Sequence, residues 1–156
     1  MKLNRRGLIY LGALGVASAV AKNAFASQAK EVKVTDLASI SPLKPVSFNY
    51  PDEESPAILL DMGKPVYMGV GPKKSIVAYS SLCQHMGCPV NFDSKSRFLV
   101  CPCHMSIYDP ARGGMCVEGP AISRLPRIIL KVKGKSIYAV GVSQGIIYGR
   151  ANNLGR

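Results

Sequence analysis

From Ser27 onward, apolar and polar positions come in short runs, broken every eight to twelve residues by Gly, Pro, Asn or Asp. A helix needs a sustained 3.6-residue period, whereas a strand needs only a few residues of alternation, so this punctuation predicts an all-β body. The candidate strands are Glu31–Val34, Val46–Tyr50, Ala57–Asp61, Pro65–Val70, Ser75–Ser80, Arg97–Val100, Arg127–Lys133 and Ser136–Val142. The last two are the clearest. Ile128, Leu130 and Val132 alternate with Ile129, Lys131 and Lys133, and Lys133-Gly134-Lys135 reads as the turn between them. Side chains two apart share a strand face, so Lys131 and Lys133 are expected in solvent.

Composition narrows the class. The chain has 156 residues, enough for one domain and a short attachment, and its 47% apolar and 19% charged content excludes a disordered chain. Fifteen Gly and eleven Pro argue against a helix bundle. The formal charge is +11, but the first 26 residues hold four basic side chains and no acid, which leaves +7 on the remainder. No nucleic-acid motif and no aromatic residues set among the basic ones accompany that charge, so nucleic acid is not an expected partner.

Residues 1–26 read as a targeting segment: a basic start, uncharged and mostly apolar residues from Gly7 to Ala21, then the small-x-small Ala24-Phe25-Ala26. Asn4-Arg5-Arg6-Gly7-Leu8-Ile9 resembles the twin-arginine export signal, whose pathway carries proteins folded around a cofactor. An ordinary secretory signal has a similar basic start. Fifteen apolar residues in a helix reach about 22 Å, against about 30 Å of hydrocarbon. Cleavage or loose attachment is therefore expected, with membrane contact only if the leader is retained. Residues 27–156 form the working domain, outside the cytoplasm, where a disulfide persists.

Residues 80–126 differ in texture. They hold all five Cys and both His, and read as a loop-built subdomain carried by the sheet. Cys83-Gln84-His85-Met86-Gly87-Cys88 and Cys101-Pro102-Cys103-His104-Met105-Ser106 each supply a Cys and a His at ligand spacing, plus a second Cys. Two such loops can face one another across a metal centre, with the spare cysteines free to staple them. A structural zinc site uses the same ligand types, but it groups Cys with Cys and His with His. A disulfide framework leaves the histidines idle and one cysteine over. A thiol nucleophile with a His base gives no reason for doubling the pattern. A two-iron cluster is therefore expected over zinc and the other readings.

The two segments resemble the Rieske [2Fe–2S] signature. The resemblance implies an antiparallel β sandwich or barrel in which Cys83 and Cys101 bind one iron, His85 and His104 bind the other, and Cys88–Cys103 is a disulfide beneath the cluster. An all-thiolate cluster is a dianion when oxidised, whereas two thiolates and two neutral imidazoles leave it neutral, so an added electron is better tolerated. Ser106 and Tyr108 match the Ser-x-Tyr of high-potential members, where the hydroxyls donate to a bridging sulfide and to a cysteine sulfur, here Cys83. Gly119-Pro120-Ala121 resembles the proline loop that covers such a cluster. Met105 stands where cytochrome bc-type members commonly have Gly. Cys116 is expected to be a small buried residue near that loop.

Among high-potential members, the iron–sulfur subunit of a cytochrome bc-type complex needs a full anchor and a hinge, and the leader here is short. The chain is more similar to small subunits of arsenite oxidase, through Cys101–Asp109, Gly113-Gly114, Leu125-Pro126 and the tail Gly145–Arg150. That resemblance implies a non-catalytic subunit of an oxidoreductase. It would relay electrons from a large molybdenum-containing partner to a periplasmic cytochrome c or copper protein, with arsenite oxidised on the partner.

Overall fold

The computed structural model describes residues 30–143. The targeting segment and the tail from Gly145 lie outside that range. Among the described residues ten strands form three antiparallel sheets. β1 (Val32–Asp36), β9 (Ile128–Lys133) and β10 (Ser136–Val142) form the outer sheet in the order β1-β10-β9; β2 (Val46–Asn49), β3 (Pro56–Asp61) and β4 (Ile76–Ser80) form the central one in chain order. β5 (Asn91–Asp93), β6 (Phe98–Val100), β7 (Ile107–Asp109) and β8 (Met115–Glu118) form the third. The all-β expectation holds. Among the described residues no helix is long and apolar enough to cross a membrane.

The layers follow from side-chain periodicity. In β9, Ile128 and Leu130 are buried while Ile129, Lys131 and Lys133 are exposed, so one face packs inward and the lysines meet solvent as expected. Lys133 and Ser136 stand opposite one another across the turn at Gly134-Lys135, which closes the β9–β10 hairpin. β3 and β4 instead run apolar without alternation, the pattern of strands covered on both faces. Ala57, Leu59, Ile76 and Ala78 pack with Ile128, Leu130, Ile137 and Ala139 of the outer sheet. Ile58, Leu60, Val77 and Tyr79 pack on the opposite side with Leu99 and Tyr108 of the third sheet and with Cys101 just beyond β6. Each fully buried Val, Leu or Ile among them contributes about 1.5–3 kcal/mol, and the two-faced central sheet joins the site to the rest of the molecule.

Two expectations need correction. Pro65–Val70 is not a strand: it forms turns, with only Val70 bridged to Ile76, and Tyr67 and Met68 are exposed. Its apolar letters lie between Gly63 and Gly71, and the Val66 carbonyl accepts from the Gly69 N–H within a tight turn. Conversely, the 80–126 region is not merely loop-built, because it contains the sheet β5-β6-β7-β8. Strands of three or four residues are too short to show a period.

Candidate metal centre

Two loops share a common construction. In the first, which follows β4, the Cys83 N–H donates to the Cys88 carbonyl at 2.8 Å; in the second, between β6 and β7, the Cys101 N–H donates to the Ser106 carbonyl at 2.8 Å. Each bond closes a loop between residues five apart. The fifth residue of each loop is left-handed, Gly87 at φ 78° and Met105 at φ 58°. Glycine adopts this conformation without strain, whereas a side chain there costs about 1–2 kcal/mol. Met105 thus keeps the backbone path of its glycine counterpart.

The loops bring four donor atoms together as two like pairs. Cys83 and Cys101 are each 1% exposed. The imidazoles lie on the open side, His85 half-buried and His104 exposed. Their Nδ1 atoms stand 3.2 Å apart, with the rings edge-on at 89°. Nitrogens that share a tetrahedral ion at about 2.0–2.1 Å stand about 3.3 Å apart. The donor set therefore fits two metal ions, one held by sulfur inside and one by nitrogen outside. Cys88 and Cys103 are joined in a disulfide, as the resemblance implied, across 15 residues of chain. The sulfurs of Cys88, Cys101 and Cys103 also lie within 4.8 Å of one another, but two of the three are consumed by that bond and offer no thiolate.

Hydrogen bonds set the charge state of the inner pair. Burial pushes the Cys83 thiol up, but bonds from the Tyr108 hydroxyl, the His85 amide and the Cys101 and Ser106 side chains together hold it below the ordinary value. Burial, with the neighbouring Cys83, pushes the Cys101 thiol up despite the amides of Cys103 and His104. Of the two, Cys83 is the readier thiolate. Tyr108 is fully buried, with its hydroxyl 3.1 Å from Cys83 Sγ. Its oxygen accepts the Gln84 N–H at 3.0 Å, which leaves its proton free to be donated to the sulfur. Burial, and then Cys83, raise the phenol well above its usual range, so it remains a donor.

A third segment covers the second loop. Ser106 is fully buried and its Oγ accepts the Ala121 N–H at 3.2 Å, leaving the hydroxyl proton for another acceptor. Gly119, at φ 90°, approaches so closely that a Cβ there would lie 2.5 Å from Ser106 Cα. This is the Gly119-Pro120-Ala121 segment expected over the site. Cys116 departs from expectation. It is half-buried on β8, opposite Tyr108, and its thiol donates to the Glu118 carbonyl at 3.2 Å. The sequence did not reveal the contributions of Gln84 and Ala121, because they are made by backbone amides, which every residue except proline carries.

Comparison with known proteins agrees with this geometry. The family model described as the Rieske [2Fe-2S] domain matches residues 32–134. A protein named iodate reductase subunit IdrB, from Denitromonas iodatirespirans, is 36% identical over 149 residues, covering 94% of this chain and 80% of that one. A cytochrome bc1 complex Rieske iron-sulfur subunit from Streptomyces lividans is 40% identical over only 60 residues, 38% of this chain and 35% of its own. Among solved structures, the soluble domain of the Rieske protein II (soxF) from Sulfolobus acidocaldarius superposes with a TM-score of 0.64 at 28% identity, covering 80% of this chain and 87% of that one.

Proposed function

This chain belongs to the Rieske [2Fe–2S] family, and from that premise we propose that it is the electron-transfer subunit of a molybdenum-containing oxidoreductase of the arsenite oxidase kind, working outside the cytoplasm. Cys83 and Cys101 would hold one iron of the cluster, and His85 and His104 the other. When bound, the cluster supplies a one-electron couple. The protein's own residues do the rest. The Cys88–Cys103 disulfide holds the two loops together, Tyr108 and Ser106 present hydroxyl protons to the electron-rich sulfur side, and the imidazoles on the open side form the edge through which a partner exchanges electrons. Donors aimed at sulfur stabilise the reduced state and raise the potential.

What supports this reading over a cytochrome bc-type subunit is the extent of likeness. The similarity to the IdrB subunit runs along 94% of the chain, whereas the bc1 subunit shares only a segment spanning 38% of it. A reductase draws electrons towards its catalytic subunit and an oxidase sends them away. The small subunit's work is the same in both: to hold one electron between the large subunit and a periplasmic cytochrome c or copper protein.

Affinity purification of the native complex tests the reading. The expected result is a large subunit containing molybdenum, a rhombic electron-spin signal on reduction, and dye-linked turnover with arsenite, or with iodate in the reverse direction. Recovery with cytochrome b in the membrane fraction would favour the quinol-oxidising complex instead. Material lacking iron and acid-labile sulfide would end the cluster assignment altogether.

A further inference from the structure

Arg124 and Arg127 lie where the chain returns from the third sheet to β9. They line a cleft of about 520 Å³, together with Tyr67 and Met68 on another wall and Ser143 at its edge. None of the four candidate ligands lines it. Among the described residues, neither arginine takes part in an ion pair. All nine acidic residues of the sequence lie from Glu31 to Glu118, within the described residues. Asp109, the acid that shares the surroundings of Tyr79 with both arginines, is turned to the Ala111 N–H and to Arg112.

The opposite wall is apolar and exposed. Tyr67 is 60% exposed and Met68 50%, and Met68 is held at φ 57° by its turn. A Cβ on Gly113 would lie 3.2 Å from the Tyr67 ring and 3.3 Å from Arg124 Nη1, so the absence of a side chain there keeps the space between aromatic and guanidinium open. Planar guanidinium forks match carboxylates, and Arg and Tyr are among the side chains that most often anchor protein interfaces.

We propose that this cleft seats an acidic side chain of the large catalytic subunit, with an apolar neighbour of that residue lying on Tyr67 and Met68. This rests on the reading of the chain as one subunit of a larger oxidoreductase, and it adds the surface by which the subunits recognise one another.

The test uses the cluster-loaded chain and its co-purifying large subunit, with binding measured at several salt concentrations. Arg124→Glu with Arg127→Glu is expected to weaken association at least tenfold and to flatten its salt dependence. Lys131→Glu with Lys135→Glu, the same charge change on the outer sheet, is expected to alter it less than twofold. Arg124→Gln with Arg127→Gln gives an intermediate loss with the rhombic signal intact, which separates recognition from misfolding. Equal weakening by the arginine and lysine pairs would reduce the effect to general charge and overturn the proposal, as would full affinity in both arginine variants. An unaltered chain that fails to bind the large subunit would overturn the subunit reading and this proposal together. Binding that ignores the arginines overturns this one alone.

Discussion

At the scale of single residues, the site is a matter of which atom each proton faces. Tyr108 accepts the Gln84 amide and stands 3.1 Å from Cys83 Sγ, so its proton has one polar destination. Hydrogen bonds to charged acceptors are stronger than to neutral ones. A difference of about 1 kcal/mol between oxidation states corresponds to about 40 mV for one electron. Tyr108→Phe is accordingly expected to lower the midpoint potential by about that amount with iron content unchanged; a voltammogram that does not move would remove Tyr108 from the tuning. Met105 makes a different kind of claim. Its left-handed backbone, at the loop position where the partner loop has Gly87, predicts that Met105→Gly stabilises the protein by about 1 kcal/mol, read by thermal unfolding. These residues also show how far the site is legible in sequence. Cys83, His85, Cys101 and His104 stand out because two matched segments contain the only histidines in the chain. The half-burial of Cys116 was not legible, since it depends on the β7–β8 register, with its irregularity between Ile107 and Tyr108.

At the scale of elements, two closed loops need a reason to stay face to face, and the Cys88–Cys103 disulfide supplies it. Cross-linking a loop of this length restricts the unfolded chain by about 3 kcal/mol. Replacing both cysteines, as Cys88→Ala with Cys103→Ala, is expected to lower unfolding stability by about that much and to reduce iron retained on gel filtration. Full stability and full iron content would show that the proline loop alone holds the pair. The outer sheet has an electrostatic tie of its own. Ser136 Oγ and Lys33 Nζ both donate to the Asp36 carboxylate and hold its pKa below the usual range. A carboxyl whose folded pKa is lowered stabilises fully above its unfolded value of about 3.9, and the contribution is lost as pH falls through the folded value. The melting-temperature gap between the unaltered chain and Asp36→Asn is therefore expected to be present at pH 5 and to close in more acid solution. Elements differed in legibility for a physical reason. β9 and β10 alternate over six or seven residues and declare themselves, and β3 and β4 are visible as apolar runs. β5 and β7 are three residues each and have no period to read. Pro65–Val70 shows the converse error: its apolar residues lie on turns, and two of them remain at the surface.

At the scale of the whole molecule, the central sheet decides whether the site is an appendage or part of one cooperative body. β3 and β4 are buried on both faces, between the outer sheet and the site-bearing sheet, so packing passes from one layer to the next through Ile58, Leu60, Val77 and Tyr79. Tyr79 is the polar part of that contact. It is fully buried, and its hydroxyl donates to the Pro110 carbonyl at 2.8 Å, tying β4 to the chain just beyond β7. Burial raises the phenol far above its usual range, so it remains a donor under all ordinary conditions. Tyr79→Phe removes the donor and leaves the carbonyl in apolar surroundings, at a cost of about 1–3 kcal/mol. The ring still fills its space and no sulfur loses a partner. The expected outcome is a lower melting temperature with the midpoint potential unchanged, the mirror image of Tyr108→Phe. If the layers are coupled, iron release and loss of β structure move down together in temperature. If iron leaves first while the outer sheet stays folded, the site-bearing layer is an independent unit and the central sheet does not unite the molecule.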